Sequence, residues 1–236
     1  NEQTQYFSFD NDFEKLLYKK IEEDERELID VEDPFDRIYM DLAFCYLQLE
    51  RYDSARDALK RAIRWNPMNM AYRLNLAELY RVDEDGENWL TLSYSVLERA
   101  YQSEHLIRAY LNFVPYMMNL QKVSTAAALT NMALRFDLQN PRALEAAQAL
   151  RESGHDPLTM DDDFVEKLLE EVKIPAGVNA VVVATALMFA NEAELEGDQE
   201  KQAYYTKITS DLVGEEVAEN LRQGLKDYDD KGLDEQ

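Results

Sequence analysis

Apolar residues recur along most of this chain at helical rather than strand spacing. They fall at Ile38, Leu42, Tyr46 and Leu49, and again at Ala55, Ala58, Leu59, Ala62 and Ile63. Each set shares one face of a helix. The polar stretch Glu50 to Asp53 separates the two stripes. Asn66-Pro67 closes the second, because a residue before proline avoids the helical region. Pro34 precedes the first helix, and Asp36 is placed to cap it. Asp57 and Arg61 are spaced for a helical ion pair. This predicts a helix–turn–helix unit.

The pattern then repeats. A second unit begins near Met70 and carries Leu76, Ala77 and Tyr80. An expanded acidic turn, residues 82–88, leads to Leu97 and Ala100. A third begins near Ile107, with Tyr110, Phe113, Met117, Ala126, Thr130 and Ala133. Pro115 is expected to kink or break its first helix. Residues 133–144 open a further unit, cut short at Gly154. In front, residues 12–29 predict a helix capped by Asp10 or Asp12, covering the exposed apolar end of the first unit. Behind, Asp161 to Asp163 cap a helix over 164–172, ended by Pro175-Ala176-Gly177. Residues 178–191 are apolar on nearly all sides, so that helix should be buried. One more hairpin turns at Gly197-Asp198, and residues 225–236 read as a frayed polar tail. The expected divisions are an acidic N-terminal segment with one capping helix (1–33), three repeats (34–155) and an acidic helical region (156–236).

The residues Tyr39-x2-Leu42-Ala43-x2-Tyr46, then Ala55-x3-Leu59, Ala62 and Pro67, resemble the tetratricopeptide repeat, a helical hairpin of about 34 residues. Small residues sit where helices approach closely, large ones fill the space between, and Tyr52 plugs the turn. The resemblance covers roughly residues 34–155. It implies an all-α fold, a right-handed α-α superhelix with capping helices, whose first helices line a concave peptide-binding groove. Matching positions are Arg37, Met40, Asp41, Phe44, Leu47 and Gln48 in the first repeat. In the second they are Leu74, Asn75, Glu78 and Arg81; in the third, Arg108, Leu111, Asn112, Met118 and Asn119. The family implies that Asn75 and Asn112 hydrogen-bond a ligand backbone. Members that clamp the C-terminal carboxylate of heat-shock chaperones carry Lys and Asn where this chain has Met40 and Phe44, and a basic residue at Asn112. The sequence departs from that clamp. The groove is open to a partner, or filled by the chain's own residues 164–196.

Charge sharpens the picture. The chain of 236 residues carries a net charge of −23. Residues 1–35 hold 12 acids and 4 bases, residues 142–236 hold 23 and 9, but residues 36–141 hold 13 and 12, ten of those bases being Arg. The acidity disfavours nucleic acid and anionic membranes. The near-neutral middle puts Arg37, Arg81 and Arg108 where carboxylates could be bound. One Cys, Cys45, excludes an internal disulfide and fits a reducing, cytoplasmic compartment; its place in the small-residue stripe reads as core. No apolar run reaches membrane-spanning length, and no signal-peptide pattern is legible. His155-Asp156 lacks a partner constellation and reads as a loop feature. Neither Asp10-x-Asp12-x-Glu14 nor Asp161-x-Asp163 has the Gly and closing Glu of an EF-hand loop, and residues 83–87, though more ligand-like, read as a solvated turn. No catalytic set, metal site or cofactor motif emerges. The expectation is a non-enzymatic scaffold that binds a protein or peptide bearing carboxylates. A regulator sensing a small peptide through the same groove is the alternative, and an enzyme on a helical-repeat frame comes third.

Overall fold

The computed structural model describes residues 3–233, and for 226–233 the backbone only. It is an all-α helical-repeat fold of sequentially packed helices, with a small β-element at its front. The order is β1 (Thr4–Phe7), α1 (Asp12–Glu22), β2 (Glu27–Asp30), α2 (Phe35–Gln48), α3 (Tyr52–Trp65), α4 (Met70–Val82), α5 (Gly86–Arg99), α6 (Ser103–Asn119) and α7 (Val123–Phe136). Then follow α8 (Pro141–Glu152), a 3-10 turn (Pro157–Thr159), α9 (Asp162–Glu171), α10 (Ala180–Glu196), α11 (Gln199–Val213) and α12 (Glu215–Leu233). Among the described residues no helix is long and apolar enough to cross a membrane.

The hairpins share one turn. After α2, α4, α6 and α8 the chain steps into the left-handed region at Glu50, Glu84, Gln121 and Gly154, at intervals of 34, 37 and 33 residues. The next N–H then reaches back to a carbonyl five residues earlier: Arg51 to Tyr46 (2.8 Å), Asp85 to Tyr80 (2.9 Å), Lys122 to Met117 (2.9 Å), His155 to Leu150 (3.0 Å). This closure satisfies carbonyls that a helix end leaves open. Lys173 and Gly197 close α9 and α10 in the same way. Helix α9 therefore stops before Pro175. The second inter-helix turn, Asp83 to Asp85, is no longer than the others, since Asp85 already caps α5 by accepting from Asn88 N–H.

The core follows the small-residue stripes. Ala43, Ala55 and Ala62 are fully buried between α2 and α3, and α7 is buried continuously from Thr125 to Leu134 among α6, α8 and α9. Pro115 neither breaks nor ends α6, which runs on to Asn119. Helix α12 continues to Leu233, so the expected frayed tail is helical backbone up to there; Asp234 to Gln236 lie outside the described residues.

The front differs most from expectation. Asn11, not Asp10 or Asp12, caps α1, and the helix ends at Glu22. Residues 27–30 form a strand paired in parallel with residues 4–7. Nor does α1 cover the first hairpin. It packs on α10, where Phe13 meets Tyr101, Phe189 and Tyr205 at ring-centre distances of 5.2, 5.5 and 5.3 Å. Ile38, Leu42, Leu49 and Tyr52 are left exposed, so Tyr52 is not a plug; Cys45 also faces outward. Asp36 does not cap α2; it is buried and accepts from Tyr72 Oη at 2.9 Å. Arg61 leans on Tyr39 rather than pairing with Asp57.

Candidate functional site

Helices α4, α6 and α8 lie side by side, and between them runs an open groove of about 460 Å³. Glu78 and Arg81 of α4 form one wall; Leu111, Asn112 and Pro115 of α6 the floor; Arg142, Glu145 and Ala149 of α8 the other wall. The lining repeats at 34 residues: Glu78, Asn112 and Ala146; Arg81, Pro115 and Ala149; Leu111 and Glu145. Hairpins of similar length carry equivalent residues to equivalent places, here at 34 residues although the turns themselves fall 33 to 37 apart.

The charges are unequally paired. Arg81 forks onto Glu78, with Nε to Oε2 at 2.9 Å and Nη2 to Oε1 at 2.5 Å, which holds the Glu78 carboxyl below its usual range. Arg108 stands one repeat before Arg142 and is half-buried. Burial, then the charge of Arg142, lowers its proton affinity. Its Nη2 donates to Asn75 Oδ1 at 3.4 Å. Among the described residues no carboxylate comes within 4 Å of Arg108 or Arg142, in contrast to Arg37, Arg81, Arg135 and Arg151.

Two backbone-scale features add to this. Pro115 has no N–H to give the Leu111 carbonyl one turn earlier. Trp89 of α5, 9% exposed, also lines the groove, and its indole N–H has no acceptor among the described residues. Unsatisfied buried donors are rare and call for an explanation.

Of the expected groove residues, Glu78, Arg81, Leu111 and Asn112 line this groove; Arg108 lies near enough to feel the charges of its Arg142 and Glu78, and Asn75 is bonded to Arg108. Asn112 spends one amide donor on Ser93 Oγ at 2.8 Å. The others are elsewhere. Leu74, 1% exposed, is core. Arg37 is tied to Asp10 at 2.5 Å. Met40 and Leu47 pack on the buried cluster between the first two hairpins. Phe44, Met118 and Asn119 are exposed and do not line the groove. The sequence reading missed Arg142, Glu145, Pro115 and Trp89. Carrying the 34-residue interval from Arg108 and Leu111 into α8 would have found the first two.

Among the described residues none beyond 155 contributes to the lining. Helix α9 lies on α7, and α10 is engaged with α1 and α11, so residues 164–196 do not fill this groove. The Asp156 carboxylate is held by Arg151 and by the Leu158 N–H, while His155 Nδ1 faces the Ser153 carbonyl at 3.1 Å; the two side chains form no dyad. No group of three metal-ligating side chains occurs among the described residues. No protein-family model matches this chain, and no curated protein matches it.

Proposed function

We propose that this chain is a non-enzymatic interaction module of tetratricopeptide-repeat type, which binds an extended, carboxylate-bearing segment of another protein between α4, α6 and α8. The observation that carries the reading is the pair Arg108 and Arg142. They stand at equivalent places in successive hairpins, Arg142 on the groove wall and Arg108 beside it, with no carboxylate within 4 Å among the described residues, in a chain of net charge −23. A chain with 48 acids has ample means to neutralise them. A guanidinium presents paired donors suited to a carboxylate. Leu111, Ala146 and Ala149 supply apolar contact around those charges, and Asn112 supplies a backbone-directed amide. Arg81 is spent on Glu78 and serves to orient it. The family resemblance of residues 34–155 supports the same use of first helices, and the exposed Cys45 fits a reducing, cytoplasmic setting.

The test is fluorescence anisotropy against labelled peptides with acidic C-termini and their amidated counterparts. Acidic peptides should bind, more weakly as salt rises, and R108A/R142A should reduce affinity at least tenfold with the fold intact by circular dichroism. Unchanged binding by the folded double variant would refute the reading.

A further inference from the structure

Among the described residues the outer edge of the small β-element carries no further strand, and its Tyr6 carbonyl accepts from the exposed Gln5 Nε2 at 3.4 Å. Its two strands are paired through the Glu27 N–H to the Gln3 carbonyl (2.9 Å) and the Val31 N–H to the Phe7 carbonyl (2.8 Å). Peptide groups alternate along a strand, so those of Thr4 and Tyr6 point to the opposite edge. Ser8, in the same phase, shows where that edge faces: its N–H donates to the Trp65 carbonyl at the end of α3, at 2.8 Å. Beyond Ser8 the edge separates from the hairpin and opens into a cleft of about 590 Å³, lined by Thr4, Tyr6, Tyr39, Arg61, Arg64 and Trp65.

The cleft has a definite chemical character. Tyr6 is 50% exposed. Arg61 lies 5.6 Å from the centre of the Tyr39 ring and donates weakly to its hydroxyl, at 3.4 Å. Among the described residues no carboxylate comes within 4 Å of Arg61 or Arg64, whereas Lys60 of the same helix has Asp57 at 4.0 Å. A shallower hollow continues along α2 and α3, past Leu42, Tyr46 and Asp57, so an acidic occupant is placed at the Arg64 end of the cleft. An unpaired strand edge is a template for another strand, and a two-stranded parallel pair gains most from a third.

We propose that the Thr4–Tyr6 edge takes a third strand from an acidic segment of a partner protein, with that segment's carboxylates on Arg61 and Arg64. Its backbone would pair with Thr4 and Tyr6. Its alternate side chains would face the tyrosines of α2. Charge complementarity selects the occupant, since among the described residues the two arginines are the only charged side chains lining the cleft. This surface is separate from the α4–α6–α8 groove.

The probe is a fluorescein-labelled decapeptide of five Glu-Val repeats, with five Lys-Val repeats as its counterpart, titrated into the full chain. The acidic peptide should bind, and the basic one at least tenfold more weakly. R61E/R64E should lose at least tenfold, while R108A/R142A should retain the acidic peptide's affinity. Tyr6→Pro removes an edge N–H without touching the bonds to β2, and should lose affinity with unchanged thermal unfolding. Hydrogen exchange in residues 3–8 should slow when the acidic peptide is added. If Tyr6→Pro fails to fold, the exchange result and the charge reversal still decide. Failure of the wild type to bind, equal binding by R61E/R64E, or loss only in R108A/R142A would overturn the proposal. So would self-association of the free chain through this edge, detected by sedimentation and abolished by R61E/R64E.

Discussion

Glu14 offers the sharpest test of how the front of the molecule is held. Its side chain is 1% exposed. Oε2 accepts from the Asp10 N–H at 2.9 Å and from Asn66 Nδ2 at 3.0 Å; Oε1 accepts from Tyr101 Oη at 2.8 Å. One carboxylate thus joins α1, the end of α3 and the segment after α5. Burial is the largest influence on its ionisation and outweighs these three bonds, so its pKa is raised above 4.5. The folded state therefore holds the proton more tightly than the unfolded chain. Stability from this group is greatest below about pH 4.5, falls as pH rises through the raised value, and is constant above it. Glu14→Gln can keep all three contacts, with Oε1 accepting from Asp10 and Asn66 and Nε2 donating to the Tyr101 oxygen. It removes the buried charge. Glu14→Ala instead leaves three donors without an acceptor and should cost roughly 3–5 kcal/mol, by the scale of broken buried networks. Urea unfolding followed by circular dichroism, at steps from pH 5 to 8, gives the comparison. Reading the difference between wild type and Glu14→Gln cancels the general effect of net charge. That difference should shift in favour of Gln as pH rises, and Gln should match or exceed wild type at pH 8. If Glu14→Gln is as destabilised as Glu14→Ala, or its difference from wild type is the same at every pH, the reasoning fails.

Two further outcomes follow from the same kind of accounting. Tyr72→Phe deletes the donor to the buried Asp36 carboxylate and should cost about 1.5–3 kcal/mol in urea unfolding; the helix N-terminus on which Asp36 sits moderates the loss. Glu84, at φ 60° on an exposed turn, is held in a conformation that only Gly adopts freely. Glu84→Gly should stabilise by about 0.5–1 kcal/mol, and an unchanged or lower unfolding midpoint would count against the strain.

Much of the repeat region was legible because its signals are local. Ala55, Leu59 and Ala62 lie on one helical face whatever surrounds them, and Asn66-Pro67 stops a helix by its own sterics. The groove positions are half legible: Glu78, Leu111 and Asn112 follow from the repeat, and the 34-residue interval extends them to Glu145 and Ala146. Which arginines are free was not legible. Arg37 and Arg108 look alike in sequence, yet Asp10, 27 residues away, takes the first, and among the described residues no carboxylate comes within 4 Å of the second.

By itself, then, the sequence determined the helices, the hairpin period and the acidic ends, since side-chain periodicity and chain stiffness act over a few residues. Only the tertiary structure decided that residues 27–30 leave the helical pattern to pair with residues 4–7, and that α1 sits on α10 rather than capping the first hairpin. It also decided that, among the described residues, no carboxylate comes within 4 Å of Arg61, Arg64, Arg108 or Arg142. These outcomes depend on which distant segments come into contact. The free energy of such a contact, whether a buried Phe13 or a paired charge, exists only once the chain has closed the loop between them.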